Sequence, residues 1–257
     1  MCLCLCSDVP PERVKAKNGQ KQAQYGAVMN MQSNQNTFGV DLKSAWCQEP
    51  LACCCFTFGA PCGFTACWTR SKVLDTYVEG ISDFKCCQGY IPPCCGVSFD
   101  GCCPGSILGL CCEGCCFPVL SVSIARIHLM DIKRIKPDPC DWQIIQCSNC
   151  LQLVSCILDI VAVFFEPVTY LATLVDCIAD AFTFSVAGCM GAQVYHEITK
   201  DAELKFKGQP VAVMPPIAMA YPVAMAQPVS QAYPTQGYPV PPQQQYTGAP
   251  PSYQMER

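Results

Sequence analysis

Between Lys136 and Lys200 the chain carries no Lys or Arg, and that interval holds two apolar stretches, residues 144–165 and 168–190. A hydrocarbon core of about 30 Å is crossed by roughly 20 helical residues, so each stretch is long enough to span it. Glu166-Pro167 stands between them. Proline lacks the amide proton a helix interior needs and clashes with the preceding turn, so it ends the first helix and leaves room only for a tight reversal. The expected element is an antiparallel helical hairpin within residues 137–200. Arg126, Lys133, Arg134 and Lys136 precede it, and Lys200, Lys205 and Lys207 follow. Basic residues favour the cytosolic side of a span, which puts both hairpin ends and both chain termini in the cytosol.

The hairpin is not uniformly apolar. Asn149, Gln152, Ser155, Asp159 and Glu166 recur at helical spacing on the first helix, and Thr169, Thr173, Asp176, Asp180 and Thr183 do so on the second. Two narrow polar seams result. Folding about Pro167 brings Asp159 to nearly the depth of Asp176. Acids inside a bilayer are costly and point by default to an ion or proton site, so Asp159, Asp176 and Asp180 form a candidate cation site. The other readings are a structural seam, an interface between copies of the chain, or water-facing stripes of a soluble core.

Ahead of the hairpin, residues 50–69 carry no formal charge, but Gly59, Pro61 and Gly63 interrupt them. A broken, re-entrant or interface-lying segment is expected rather than a straight span. Residues 86–116 then carry the vicinal pairs Cys86-Cys87, Cys94-Cys95, Cys102-Cys103, Cys111-Cys112 and Cys115-Cys116, part of a total of 25 Cys in 257 residues. Pro and Gly among them predict tight turns, with Gly101, Gly105 and Gly109 read as turn residues. Residues 47–136 are thus a Cys-rich, membrane-associated region.

Neighbouring cysteines are strained partners for each other, so the pairs serve something else. The N-terminus, MCLCLCSDVPPERVK, has no basic start followed by an apolar run, so no secretory signal is expected and the thiols would face a reducing cytosol. S-acylation suits Cys2, Cys4 and Cys6 between leucines, and Cys53, Cys54, Cys55, Cys111, Cys112, Cys115 and Cys116 in apolar sequence. Zinc or copper on Cys111, Cys112, Cys115 and Cys116 is the second option, all-sulfur because the chain has only His128 and His196. Disulfides would require the array to face an oxidising compartment.

The ends read differently. Residues 1–46 are polar, with Gln and Asn clusters, and are taken as a mobile segment. Residues 201–257 turn to Pro, Gln and Tyr and are taken as a disordered tail. Within that tail Pro250, Pro251 and Tyr253 fit the PPxY pattern that a WW domain recognises. The net charge of −4 and the absence of a basic run interleaved with aromatics give no reason to expect nucleic acid. No activated nucleophile, acid–base pair or phosphate loop is legible, so an enzyme is not expected.

The stretch ARIHLMDIKRIKPDPCDWQIIQCSNCLQLVSCILDIVAVF, followed by LVDCIADAFTFSVAGCMGAQ, resembles an uncharacterised group of Cys-rich membrane proteins of eukaryotic microbes. In that group a PDPCD turn precedes an NC-x-QL-x-SC helix and an acidic second helix. The likeness covers about residues 85–195; it implies membrane location and no activity. ACCCFTFGAPCGFTACWTRSKVLD is similar, more distantly, to the Cys-rich opening of PLAC8-type proteins, with Ala-Pro-Cys at 60–62 where that family has Cys-Pro-Cys. The expectation is a mainly α, membrane-associated scaffold with a hairpin, re-entrant segments and disordered termini. It would be S-acylated, would self-associate through the polar seams, and would bind a WW partner through its tail. A small cation transporter and a metal-binding Cys-rich protein remain as alternatives.

Overall fold

A computed structural model of the chain describes residues 31, 34–91, 101–138, 140–211 and 213. Residues 214–257 lie outside them. So do Cys2, Cys4, Cys6, Cys94, Cys95, Pro250, Pro251 and Tyr253. The described residues form six principal helices: α1 Pro50–Gly59, α2 Phe64–Tyr77, α3 Ile107–Cys116, α4 Pro118–Lys133, α5 Asp141–Phe164 and α6 Thr169–Phe206. Among the described residues there is no strand, only an isolated parallel bridge between Asn36 and Ile135.

Proline and glycine set the breaks. Pro50 and Pro118 open α1 and α4 at the first helical position, where a missing amide proton costs nothing. Gly63 takes φ +75 between α1 and α2, and its Cα lies so close to Gly114 that a Cβ would come 2.7 Å from the Gly114 carbonyl oxygen. Only glycine fits there. The chain bends by 116° between α1 and α2 and by 120° between α3 and α4. Each pair is therefore a helical wedge. The expected break inside residues 50–69 is the α1–α2 bend.

Helix α4 is the axis of the packed body, with every residue from Ser121 to Ile132 buried. A helix enclosed on all sides belongs to a core. Beside it run α2 and the second half of α6. Ser123 reaches Met190, Arg126 reaches Gln193 and Lys133 reaches Glu197, so α4 and α6 run in the same direction. Helix α1 runs against α6: Glu49 meets His196, while a Cβ on Gly188 would come 2.8 Å from the Thr57 nitrogen. Helices α5 and α6 form the hairpin expected from the sequence, reversing through a short turn at Glu166–Val168.

Three sequence boundaries move. Residues 34–46 are not a mobile segment: Phe38, Val40 and Leu42 are buried, and their backbone is tied to distant side chains. Gly39 donates to Glu197 at 2.6 Å, Leu42 donates to Asp138 at 2.9 Å, and Gln193 donates to the Val40 carbonyl at 2.8 Å. Helix α6 continues to Phe206, inside the stretch assigned to the tail. The last part of the Cys array is helix α3 rather than turns, because Ile107–Cys116 is free of proline. Gly105, at φ +66, is a turn residue as expected, but Gly109 is inside α3.

Candidate membrane-facing site

The environment of α6 changes near its midpoint. Every residue from Val186 to Val194 is buried, whereas Tyr170, Leu171, Leu174 and Ile178 are exposed. On α5, Ile145 is buried and Leu153, Ile157, Ile160, Val163 and Phe164 are exposed. The hairpin thus stands out of the body as two helices with a largely apolar exterior. Its protruding part on α5, residues 147–164, is about 27 Å long at 1.5 Å per residue, close to a hydrocarbon thickness. Both hairpin helices are long and apolar enough to cross a membrane.

Between the two helices the polar seams meet. Ser148 and Thr183 share a hydrogen bond of 2.9 Å, Gln152 donates to Thr183 and to Asp180 at 3.2 Å each, and Ser155 donates to Asp176. Ala172 and Ala179 are buried alongside, small residues that let the helices approach closely. Asp159 and Asp176 face each other's helices across the hairpin, close enough for their carboxyl groups to interact. Asp180 does not join them; its carboxylate takes Gln152 instead, and both Asp159 and Asp180 are exposed. The three acids therefore do not close into one donor set. Among the described residues, the one group of three such donors within 4.8 Å of one another is Cys86, Cys87 and Glu113.

That group is already engaged. Glu113 accepts from Arg70 at 3.1 Å, from Ser121 at 2.8 Å and from the Cys87 amide at 2.8 Å. Both Arg70 and Glu113 are buried, and burial pushes the Cys87 thiol well above its ordinary range. A metal there would compete with a guanidinium for the carboxylate. Cys111, Cys112, Cys115 and Cys116 are exposed on α3, and no three of their sulfurs lie within 4.8 Å of one another. Residues one apart on a helix point about 100° from each other, so neither vicinal pair closes on a common ion.

At the root of the hairpin sits a buried charge network that the sequence did not reveal. Arg126 donates to Asp141, the first residue of α5, at 2.6 Å and to Gln193 of α6 at 2.8 Å, and stands 3.6 Å from Asp138. Its guanidinium lies over the Phe38 ring at 4.7 Å. Further from the hairpin, Lys133 pairs with Glu197 at 2.5 Å and with Asp201 at 3.0 Å, and Tyr77 donates to Asp201 at 2.5 Å. His128 is enclosed beside Tyr90, and its Nδ1 has no partner among the described residues. Burial first, and Arg70 second, lower its pKa to about 3, so it is neutral at ordinary pH.

The two wedge tips meet near Gly188 and Gly191 of α6. Gly63 touches Gly114 and Cys115, and Gly114 packs on Cys67. Around this junction Phe58, Phe64 and Phe117 are exposed; Phe58 is 82% accessible. Of the expected acylation sites in the described residues, Cys54, Cys55, Cys111, Cys112, Cys115 and Cys116 are exposed. Cys53 is not a reachable thiol: it faces α6, and its accessibility is 0%. Cys62, which the sequence reading passed over, is exposed at the tip and donates to the Gly59 carbonyl at 3.2 Å.

Compared with family models, curated proteins and solved structures, the chain matches none.

Proposed function

We propose that this protein is a membrane-anchored scaffold whose α5–α6 hairpin crosses a bilayer twice and holds the α1–α4 body on the cytosolic face. The observation that carries this reading is the change along α6 from a lipid-like apolar exterior before Val186 to a charged, closely packed body after it. Lys133, Arg134, Lys200, Lys205 and Lys207 all belong to the body end, in keeping with a cytosolic placement of both hairpin ends. In this reading Asp159 and Asp180, exposed along one edge of the hairpin, meet a second copy of the chain. The Pro250-Pro251-Ser252-Tyr253 segment is then presented in the cytosol to a WW-domain partner.

The test is topological. Acceptor sites for N-glycosylation are inserted after Glu166, at the N-terminus and at the C-terminus of the full chain. Modification after Glu166 alone, with protein retained in membranes at alkaline pH, is the expected result. Release by alkali, or glycan on either terminus, removes the reading. The contact between Asp159 and Asp176 favours a second reading, passage of a cation along the seam. Neutralising both to Asn decides it: flux that depends on these acids in reconstituted vesicles supports transport, and unchanged flux ends it.

A further inference from the structure

We propose that the joined tips of the α1–α2 and α3–α4 wedges rest on the cytosolic surface of the bilayer, and that Cys55, Cys62, Cys115 and Cys116 are S-acylated there. The proposal rests on the hairpin reading, which fixes where the bilayer begins. Thr57 packs against Gly188, and Phe56 and Thr65 pack against Gly191, so the α1–α2 tip lies beside the stretch of α6 where the apolar exterior gives way to the body. The Gly63–Gly114 contact brings the α3–α4 tip to the same level. Arg126, Lys133 and their carboxylates face residues 193–201, further from the hairpin turn.

The composition of the tips fits that surface and no aqueous one. Residues 50–69 have no charge, and Glu113, the one charged residue on α3, is buried against Arg70. What remains outside is Phe58, Phe64, Phe117 and thiols. Aromatic and aliphatic side chains on an uncharged rim next to two spans favour the headgroup boundary. Four accessible thiols at that boundary meet long-chain acyl-CoA where acyl transfer operates. Each sulfur attacks the thioester carbonyl carbon, a new thioester forms, the old one breaks, and coenzyme A leaves carrying the thiol proton. No electrons are exchanged. Cys53, Cys87 and Cys189 are buried, and the same chemistry does not reach them. Cys67, half-buried behind Cys111 and Cys115, has its thiol pushed up to about 11, mainly by burial.

The experiment uses the full chain in cells, with free thiols blocked, thioesters cleaved by hydroxylamine, and each released thiol given a mass tag. Cys2, Cys4 and Cys6 are replaced by Ser in the starting chain so that the N-terminus does not contribute. Replacing Cys55, Cys62, Cys115 and Cys116 by Ser should remove at least half of the hydroxylamine-dependent tags, while C53S, C87S and C189S leave the pattern unchanged. Peptide mapping of the unsubstituted chain should find acyl groups on the same four residues, a readout that no folding defect disturbs. Retention at alkaline pH is measured in parallel. Membrane-retained protein without acyl groups on these thiols overturns this proposal alone. Release by alkali overturns the hairpin reading beneath it.

Discussion

Replacing Arg126 by Met removes the cation that joins three elements at the hairpin root while keeping most of the side-chain volume. Its guanidinium is fully buried between Asp138 and Asp141, and it also holds Gln193. Loss of one partner leaves the opposing charges buried without compensation, which costs about 3–5 kcal/mol. The two carboxylates have other work that an amide can take over. Asp138 accepts from Leu42 and Gln193, and Asp141 accepts from the Asp138 amide at 3.1 Å. Adding D138N and D141N to R126M therefore removes the unpaired charge but keeps those acceptors, and should bring the loss below about 2 kcal/mol. Unfolding in mild detergent, followed by Trp fluorescence, reads this directly, since Trp142 adjoins Asp141. An R126M protein within about 1 kcal/mol of the parent, or a triple variant no more stable than R126M, would refute the account.

Three further outcomes are expected. His128 binds its proton far less readily when folded, about 3 against an ordinary 6.5, so the unfolded chain takes up more protons below 6.5 and stability is lost as pH falls through that value. At pH 5 the loss is about 2 kcal/mol relative to pH 7, and H128Q should flatten that part of the profile; identical profiles for parent and variant would count against it. Gly188→Ala gains about 1 kcal/mol of helix propensity, but its Cβ meets Thr57 backbone atoms at 2.8 and 2.9 Å, which cannot swing away. Overpacking of about 1–3 kcal/mol should outweigh the gain, and a raised melting temperature would disprove so close an approach. D159N/D180N should reduce chemical crosslinking between copies in membranes without altering alkaline retention; undiminished crosslinking would detach these acids from self-association.

The hairpin was legible because its determinants are local. Pro167 ends the helix before it, the interval free of Lys and Arg is contiguous, and the polar residues of both stretches recur at helical spacing. The depth match of Asp159 and Asp176 followed from folding about one point. The break at Gly59 to Gly63 was legible for the same reason. Other features depend on partners far along the chain. Phe38, Val40 and Leu42 alternate in a strand-like pattern, but they sit in polar sequence, and the backbone of Gly39, Val40 and Leu42 finds its partners at Glu197, Gln193 and Asp138. Composition alone made that segment look unstructured. Arg70 and Glu113 are 43 residues apart, and nothing in either neighbourhood names the other. Cys53 and Cys54 are indistinguishable as apolar-flanked thiols. Only the side of α1 that meets α6 makes one buried and the other exposed.

The buried charges also bear on how many times the chain crosses. By length and composition alone each bent pair is a further candidate span, giving up to four crossings. A span that included the whole of α4 would carry Arg126, His128, Asp131 and Lys133 into hydrocarbon, and one that included the whole of α2 would carry Arg70, Lys72 and Asp75. At the centre of a span an Asp, Lys or Arg costs about 2.5–3.5 kcal/mol, more than the leucines and isoleucines of a helix this short return. Arg70 and Arg126 and their partners Glu113, Asp138 and Asp141 are already buried in the packed body, where each cation is paired. The wedges are therefore better placed with their tips against the bilayer and their charged ends in water. In the proposed arrangement the chain crosses twice, with the exposed thiols of α1 and α3 at the bilayer surface.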